Sequence, residues 1–577
     1  MKPLLLLLFL PTLDAIFSYN FLDTTFQPIY HTPGIGSIGY SGDPNGMMYR
    51  SDTQLYHMFW QCKYDVYTSP TYWCHAVSED MAKWTRLPVN TAMSFSGGAT
   101  QLDSGDIKMM YKDVTKNAGF YTASPDNITD PNLKVWKEAE NATAFSGATD
   151  PSDGWKNPHG GYYAVAGEPN SAHLWTSDDN FENWVDTGTD LTTFTWDRAD
   201  STPRDPNFWE DVSSNLFVFE GGMKMNYFSG ADFYSIGSYN SDAGTFEPLE
   251  GYYQPLDFGG ELWASETFMN ENKNAITSIW ILEGDCKIES WPPPCEYLTD
   301  RGWFGIHSLP RKSKVETRGE WKRLSFEPVE GLANLRIGEI EQITVNKKTL
   351  MTTKSKSYEL ELTLGEGVEA VEATVLASPG GEEGTRVGLK AADMFGGELI
   401  TVSDEHRERV SCGDFGNTTA SSAEECQNYC LGLEICEAWT FVPSITFSCQ
   451  SYCGPATPLL TESDQGTFGN ALGRDPGEST SGVISDAWKV VYIDRSNSSD
   501  DETWGKFTYS GLVRFGDEGE NKVRIFVDVS VVEVFSGGNV VTARVYPKRG
   551  DSTGIAIEVT GGEGDVKAEL NVMGSAF

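Results

Sequence analysis

The chain has 577 residues, with 83 acidic against 43 basic side chains and a formal charge of −40. A balance so acidic excludes nucleic acid and anionic membrane surfaces as partners, since both would repel it, while leaving a neutral ligand such as a sugar compatible. The length predicts roughly two to four domains. Aromatic residues at 12%, 58 glycines and few long apolar helical patterns predict an all-β chain of short strands joined by turns.

Residues 1–15 read as a signal peptide, with Lys2 at its positive end, Leu4–Leu10 as its apolar core and Ala15 as the small residue at the cleavage site. No segment reaches the ~20 apolar residues of a membrane span. Sequons at Asn127, Asn141, Asn417 and Asn497 agree with a secreted, extracellular glycoprotein, vacuolar delivery by the same route remaining open. Cys62 and Cys74 flank a hairpin-sized loop, and Cys286 and Cys295 bracket a Pro-rich one; both spacings invite local disulfides.

The turn-forming stretch Gly42-Asp43-Pro44-Asn45-Gly46 follows a predicted short strand, Ser37–Tyr40. A rigid Pro-Asn-Gly corner fixes the backbone, so the Asp43 carboxylate can be aimed at one point, as a nucleophile must be. Alone, the tetrapeptide is equally a plain turn. Residues 20–335 alternate β-rich runs with Gly, Asn, Asp and Pro turns. Within them His75–Trp84 resembles His173–Trp184: a strand, Ser with an acidic turn, then Trp. Repetition of that unit predicts propeller blades, with a plain β-sandwich as the alternative.

From 340 to 577 the strands lengthen and alternate with period two, as in Tyr358–Leu364 and Val523–Val529, which predicts a sandwich. A cysteine-rich insert at 405–470 interrupts it. Its six cysteines (412, 426, 430, 436, 449 and 453) lack histidine and paired Cys-x-x-Cys spacing, so disulfides are expected rather than zinc. Ala423–Cys430 sets two cysteines on one helix face, giving a small α+β unit. The insert's ends are expected to emerge from adjacent strands.

Several motifs occur in one order: Asp43-Pro-Asn-Gly46, Tyr56-His-Met-Phe-Trp-Gln61, Trp73-Cys-His-Ala76, Phe95-Ser-Gly-Gly-Ala-Thr100, Leu256-Asp-Phe-Gly259 with Trp263–Phe268, Gly302–Arg311, Glu327–Arg336, and Phe526–Phe535 with Val545-Tyr-Pro547. In this order they resemble glycoside hydrolase family 32, the invertases, inulinases and related fructosyltransferases. The resemblance implies a five-bladed β-propeller followed by a β-sandwich, and the insert separately resembles an apple (PAN) module. It also implies a retaining β-fructosidase acting on sucrose or a fructan oligosaccharide with no cofactor and no metal. A glycan or protein partner is implied for the insert.

By this resemblance Asp43 is the nucleophile. The family's Arg-Asp-Pro aspartate, which stabilises the transition state, maps to Asp150, with Thr149 in place of arginine. The chain's own Arg204-Asp205-Pro206 lies too late in the order for that role. It falls where the acid/base motif Glu-Cys-Pro is expected. With one residue deleted, Asp205 is a shortened acid/base; without the deletion Arg204 fills the slot and Glu266 is the spare. Asn45, Gln61, Phe95, Ser96 and Asp257 map to sugar-contacting positions and Tyr67 to the pocket rim; Trp60, Trp73 and Trp263 read as blade packing, with sugar platforms as the alternative. The altered flank Tyr40-Ser41-Gly42 and the missing arginine keep a second reading open, a catalytically impaired carbohydrate-binding protein on the same scaffold.

Overall fold

The computed structural model describes residues 26–31, 40–63, 70–90, 93–113, 119–138, 148–193, 202–226, 229–249, 254–259, 262–281, 303, 305–318, 321–391, 488–499, 508–514 and 521–577, and five backbone strands between 401 and 470. Among the described residues the regular structure is β throughout, apart from one 3₁₀ turn, Glu330–Leu335. Five consecutive antiparallel sheets come first. The first contains Tyr40–Arg50, Leu55–Lys63, Tyr72–Ser78 and Trp84–Asn90, paired in chain order. The second runs from Gly97–Gln101 to Trp136–Glu138, the third from Trp155–Lys156 to Val185–Thr193, the fourth from Pro203–Asp211 to Thr245–Pro248, and the fifth from Leu262–Met269 to Trp321–Pro328. The opening strand of the first sheet lies against those of the second and fifth, and the opening strands of the fourth and fifth meet.

The repeat seen in the sequence is a structural repeat. His75 and His173 sit on the next-to-outermost strands of the first and third sheets, and in both cases an aspartate caps the following turn. Asp80 Oδ1 accepts the Ala82 and Lys83 amides, and Asp178 Oδ1 accepts those of Asn180 and Glu182. Met81 and Phe181 then take the same left-handed conformation, at φ 60° and 62°. A disulfide joins Cys62 and Cys74 across neighbouring strands, as their spacing suggested. The Cys286–Cys295 pair lies outside the described residues.

Two six-stranded antiparallel sheets follow, sharing one core: Leu360, Ile525 and Val534 from one sheet pack with Val371, Ala373 and Val491 from the other. Each such side chain contributes about 1.5–3 kcal/mol on burial. Thr385–Ala391 and Trp488–Asp494 pair side by side, with Ala391 opposite Lys489, so the intervening segment leaves and re-enters the sandwich at one point. Within that segment the backbone strands form a five-stranded sheet. The helix expected at 423–430 lies outside the described residues; of the insert's cysteines, Cys436 stands opposite Cys453 on neighbouring backbone strands.

A buried charge network joins these bodies. His31 Nδ1 lies 2.9 Å from Asp528 and its Nε2 3.0 Å from Glu533, while Arg311 of the fifth sheet reaches both Glu533, at 3.0 Å, and Asp257, at 2.7 Å. The Ile29 and Tyr30 amides donate to the Asp528 carboxylate. At the other end of the chain, Ala576 donates its amide to the Ile29 carbonyl and accepts from the Trp84 amide of the first sheet.

Candidate active site

Asp43 lies inside a strand, not on a turn after one. The Tyr40–Arg50 strand continues through Asp43-Pro44-Asn45-Gly46 and absorbs that sequence as two bulges, between Ser41 and Pro44 and between Asn45 and Met48. Pro44 has no amide to leave unpaired there, and a bulge turns the neighbouring side chain out of the ladder. The fourth sheet repeats the device at Asp205-Pro206-Asn207, with its shift between Arg204 and Asn207, and the fifth does so between Trp263 and Glu266.

The two asparagines act alike. Asn45 donates to the Asp43 carbonyl at 3.0 Å and accepts the Gly97 amide of the second sheet. Asn207 donates to the carbonyls of Asp205 and Ser265 and accepts the Thr267 amide of the fifth sheet. Each amide therefore clamps an aspartate bulge to the neighbouring sheet, and the bonds of Asn45 are committed to that task. Gly46, Asp205 and Ala264, in the opening strands of the first, fourth and fifth sheets, and Phe95 and Asp150, just before the second and third, all have φ between 46° and 56°. Four are not glycine, and strained backbone of this kind concentrates at functional sites.

The bulges bring carboxyl groups together. Ser96 donates to Asp43 Oδ2 at 2.8 Å, Gln61 donates to the same oxygen, and Gln61 also donates to Ser96 Oγ at 3.0 Å. Ser96 also acts on Asp205, where it opposes the rise of that carboxyl. Burial pushes Asp43 up to about 6, with Ser96 opposing the rise and Asp150 adding to it. Burial also lifts Asp205 well above the usual carboxylate range, helped by the charges of Asp150 and Asp43. Asp205 is thus the carboxyl that burial and like charge favour in its neutral form, beside an Asp43 raised to about 6.

Other predicted residues divide between the cluster and the scaffold. Asp150 belongs to the cluster, as its charge on Asp43 and Asp205 requires. Glu266 does too: burial and the neighbouring Asp153 and Asp205 raise it, and its Oε1 is buried without a hydrogen bond. Phe95 is held by its carbonyl, which accepts from Trp73 Nε1 at 2.6 Å. Trp60 and Trp73 are buried in packing, and Tyr67 lies outside the described residues. Asp257 is a correction. Its carboxylate takes the Thr542 amide and hydroxyl, the Gly259 amide and Arg311, which ties the fifth sheet's approach to the sandwich. A side chain so fully used is no sugar contact.

The sequence reading missed Asp153, raised by burial to about 8 while accepting the Ala99 amide at 2.5 Å, and Asp232, raised by burial to about 7. The spacing of two aspartates in Asp150-Pro-Ser-Asp153 was the available signal for the first; Asp232 had none. His307, which burial keeps neutral with its pKa near 4, donates from Nε2 to the Gly42 carbonyl and so steadies the flank of Asp43.

A carboxylate held by Ser96 and Gln61 and a neighbouring carboxyl favoured in its neutral form, on strained bulges of the first and fourth sheets, can attack and protonate opposite sides of a glycosidic bond. This fold and site define a glycoside hydrolase. Residues 36–328 match the glycosyl hydrolases family 32 N-terminal domain and residues 331–573 the glycosyl hydrolases family 32 C terminal, and the chain belongs to that family. It is 25% identical to a β-fructofuranosidase, insoluble isoenzyme CWINV3, of Arabidopsis thaliana, over 94% of this chain and 87% of that one. It is 26% identical to fructan 1-exohydrolase w3 of Triticum aestivum, over 88% of this chain and 80% of the relative. Among solved structures, fructan 1-exohydrolase IIa of Cichorium intybus in complex with 1-kestose shares the fold at a TM-score of 0.67, with 19% identity, covering 96% of this chain and 98% of the other.

Proposed function

We propose that the protein is a secreted retaining β-fructosidase that hydrolyses sucrose or short fructans. The observation that carries this reading is the pair of aspartate bulges, with Ser96 and Gln61 donating to Asp43 while burial and the charges of Asp150 and Asp43 favour a protonated Asp205. Asp43 attacks the anomeric carbon of the fructosyl unit while Asp205 passes its proton to the departing glycosidic oxygen, leaving a fructosyl ester on Asp43. Asp205, now a base, takes a proton from water, which opens the ester and restores both groups. Asp150 holds the ring hydroxyls, and Gln61, Phe95 and Ser96 line the sugar pocket. No metal or cofactor enters any step.

The five sheets are read as five propeller blades over residues 20–335 and the paired six-stranded sheets as a sandwich over 340–577, with 405–470 as an apple-like insert that binds a glycan or protein partner. The Cys62–Cys74 disulfide supports passage through an oxidising compartment. Purified protein incubated with sucrose, inulin and levan between pH 4 and 7 is expected to release fructose. Binding of these sugars without release, with turnover appearing in Asp205→Glu, would favour the impaired binder; neither binding nor release would overturn both readings.

A further inference from the structure

The chain carries threonine, not arginine, immediately before Asp150, yet the structure puts a guanidinium there. Arg204 comes from the opening strand of the fourth sheet. Its Nη1 donates to Thr149 Oγ1 at 3.0 Å and lies 3.7 Å from Asp150 Oδ2, on the third sheet. Both side chains are mostly shielded, at 25% and 13% exposure, so solvent screens the pair weakly. The approach has a cause. Thr149 exchanges both backbone hydrogen bonds with Gly167, and a Cβ on Gly167 would lie 1.9 Å from the Pro203 carbonyl oxygen. With glycine at 167 the third sheet closes onto Pro203, and the next residue along reaches Thr149 and Asp150. Asp205, at φ 46°, then turns away toward Ser96 and Asp43.

We propose that Arg204 is the positioning cation of the site, supplied from the neighbouring sheet, which fixes the orientation of Asp150 and offsets the negative charge gathered around it. Thr149 and Gly167 are the partners that let it arrive. The charged groups facing it are Asp150 on the third sheet, Asp43 on the first, Asp205 beside it in the chain, and Lys112 on the second, whose Nζ donates to the Ala148 carbonyl at 2.9 Å. Asp232 acts on Asp205, and Glu266 feels both Asp205 and Asp153. Arg204 also acts against the rise of Asp43, which gives a readout that a purely structural arginine would not move.

This inference rests on the proposed hydrolytic role, and the experiment separates the two. The pH dependence of kcat/KM on sucrose is measured for the wild type, Arg204→Gln, Arg204→Lys and Gly167→Ala, with thermal melts to establish folding. Arg204→Gln is expected to lose about 10- to 100-fold in kcat/KM and to move the acid limb up by about one pH unit. Arg204→Lys should hold the limb near the wild-type position, and Gly167→Ala should move it in the same direction as glutamine. A folded Arg204→Gln with an unmoved limb overturns the proposal; if that variant does not fold, an unmoved limb in Gly167→Ala does so. Should the wild type release no fructose, the hydrolytic reading fails first, and the rate of carbodiimide labelling of Asp43 against pH, read by peptide mass, decides the matter for Arg204. A higher labelling midpoint in Arg204→Gln supports it, and an unchanged one overturns it.

Discussion

Ser96 donates to Asp43 and so favours its ionised form against the rise that burial imposes. With Asp43 raised to about 6, the ionised form needed for attack is lost as pH falls through that value. The acid limb of kcat/KM is therefore expected near pH 6. Removing the hydroxyl that opposes the rise moves the limb upward, so Ser96→Ala should shift it alkaline by about one unit; a profile identical to the wild type would remove Ser96 from the pair. Asp205→Asn keeps the shape and removes the proton. It should lower turnover of sucrose by about 10²–10⁴-fold, with a far smaller loss on an aryl fructoside whose leaving group needs no protonation. Asp43 and Asp205 were legible because their flanking Pro-Asn survives in the sequence, and Asp150 by its place in the order. The partner of Arg204 was not, because the contact depends on how closely two sheets pack.

At the scale of single elements, the bulge is the repeated unit. Asp-Pro-Asn occurs at 43–45 and at 205–207, and each asparagine ties its aspartate to the next sheet. Asn207→Ala removes bonds to Asp205, Ser265 and Thr267 together. About 1–3 kcal/mol of stability should go with them, measurable by denaturant unfolding, and turnover should fall about 100-fold as Asp205 loses its aim. A stability loss with full activity would show that the bulge does not position the acid. Reading Asp43-Pro44-Asn45-Gly46 as a turn was reasonable from composition, since turns and bulges draw on the same residues. Only the strand pairing Tyr40–Lys63 to Arg50–Leu55 distinguishes them. Asp257 misled for a related reason: Asp-Phe-Gly has the look of a site turn, but Arg311 and Thr542, distant in sequence, take its carboxylate.

For the whole molecule, His31 is the titrating link between the sandwich and the N-terminal segment. Burial alone would lower its pKa, but hydrogen bonds to Asp528 and Glu533 outweigh that and raise it to about 9. A raised histidine stabilises the fold fully below its ordinary pKa of about 6.5, and the contribution is lost as pH rises to about 9. The stake is on the order of 3 kcal/mol. The wild type should thus lose several degrees of melting temperature between pH 6.5 and 9 relative to His31→Gln; parallel melting curves for the two proteins would rule the linkage out. The segment between Ala391 and Trp488, by contrast, leaves and rejoins the sandwich at one paired point. Replacing residues 405–470 by a Gly-Ser linker should leave kcat and KM on sucrose unchanged, and a folded but inactive deletion would mean that the segment reaches the pocket.

The contacts of Ile29 and Tyr30 with Asp528 and of Ala576 with Ile29 and Trp84 also govern the timing of assembly. During synthesis the first sheets leave the ribosome long before their anchors exist, because the carboxylates that hold residues 29–31 and the carbonyl that holds Trp84 belong to Asp528, Glu533 and Ala576, which are made long afterwards. Until then His31 has no counter-charge and the first sheet lacks its final tie. Maturation is therefore a late, all-or-nothing event with high contact order, expected to be slow. A nascent chain arrested before residue 528 would keep its N-terminal segment open to proteases that the finished enzyme resists.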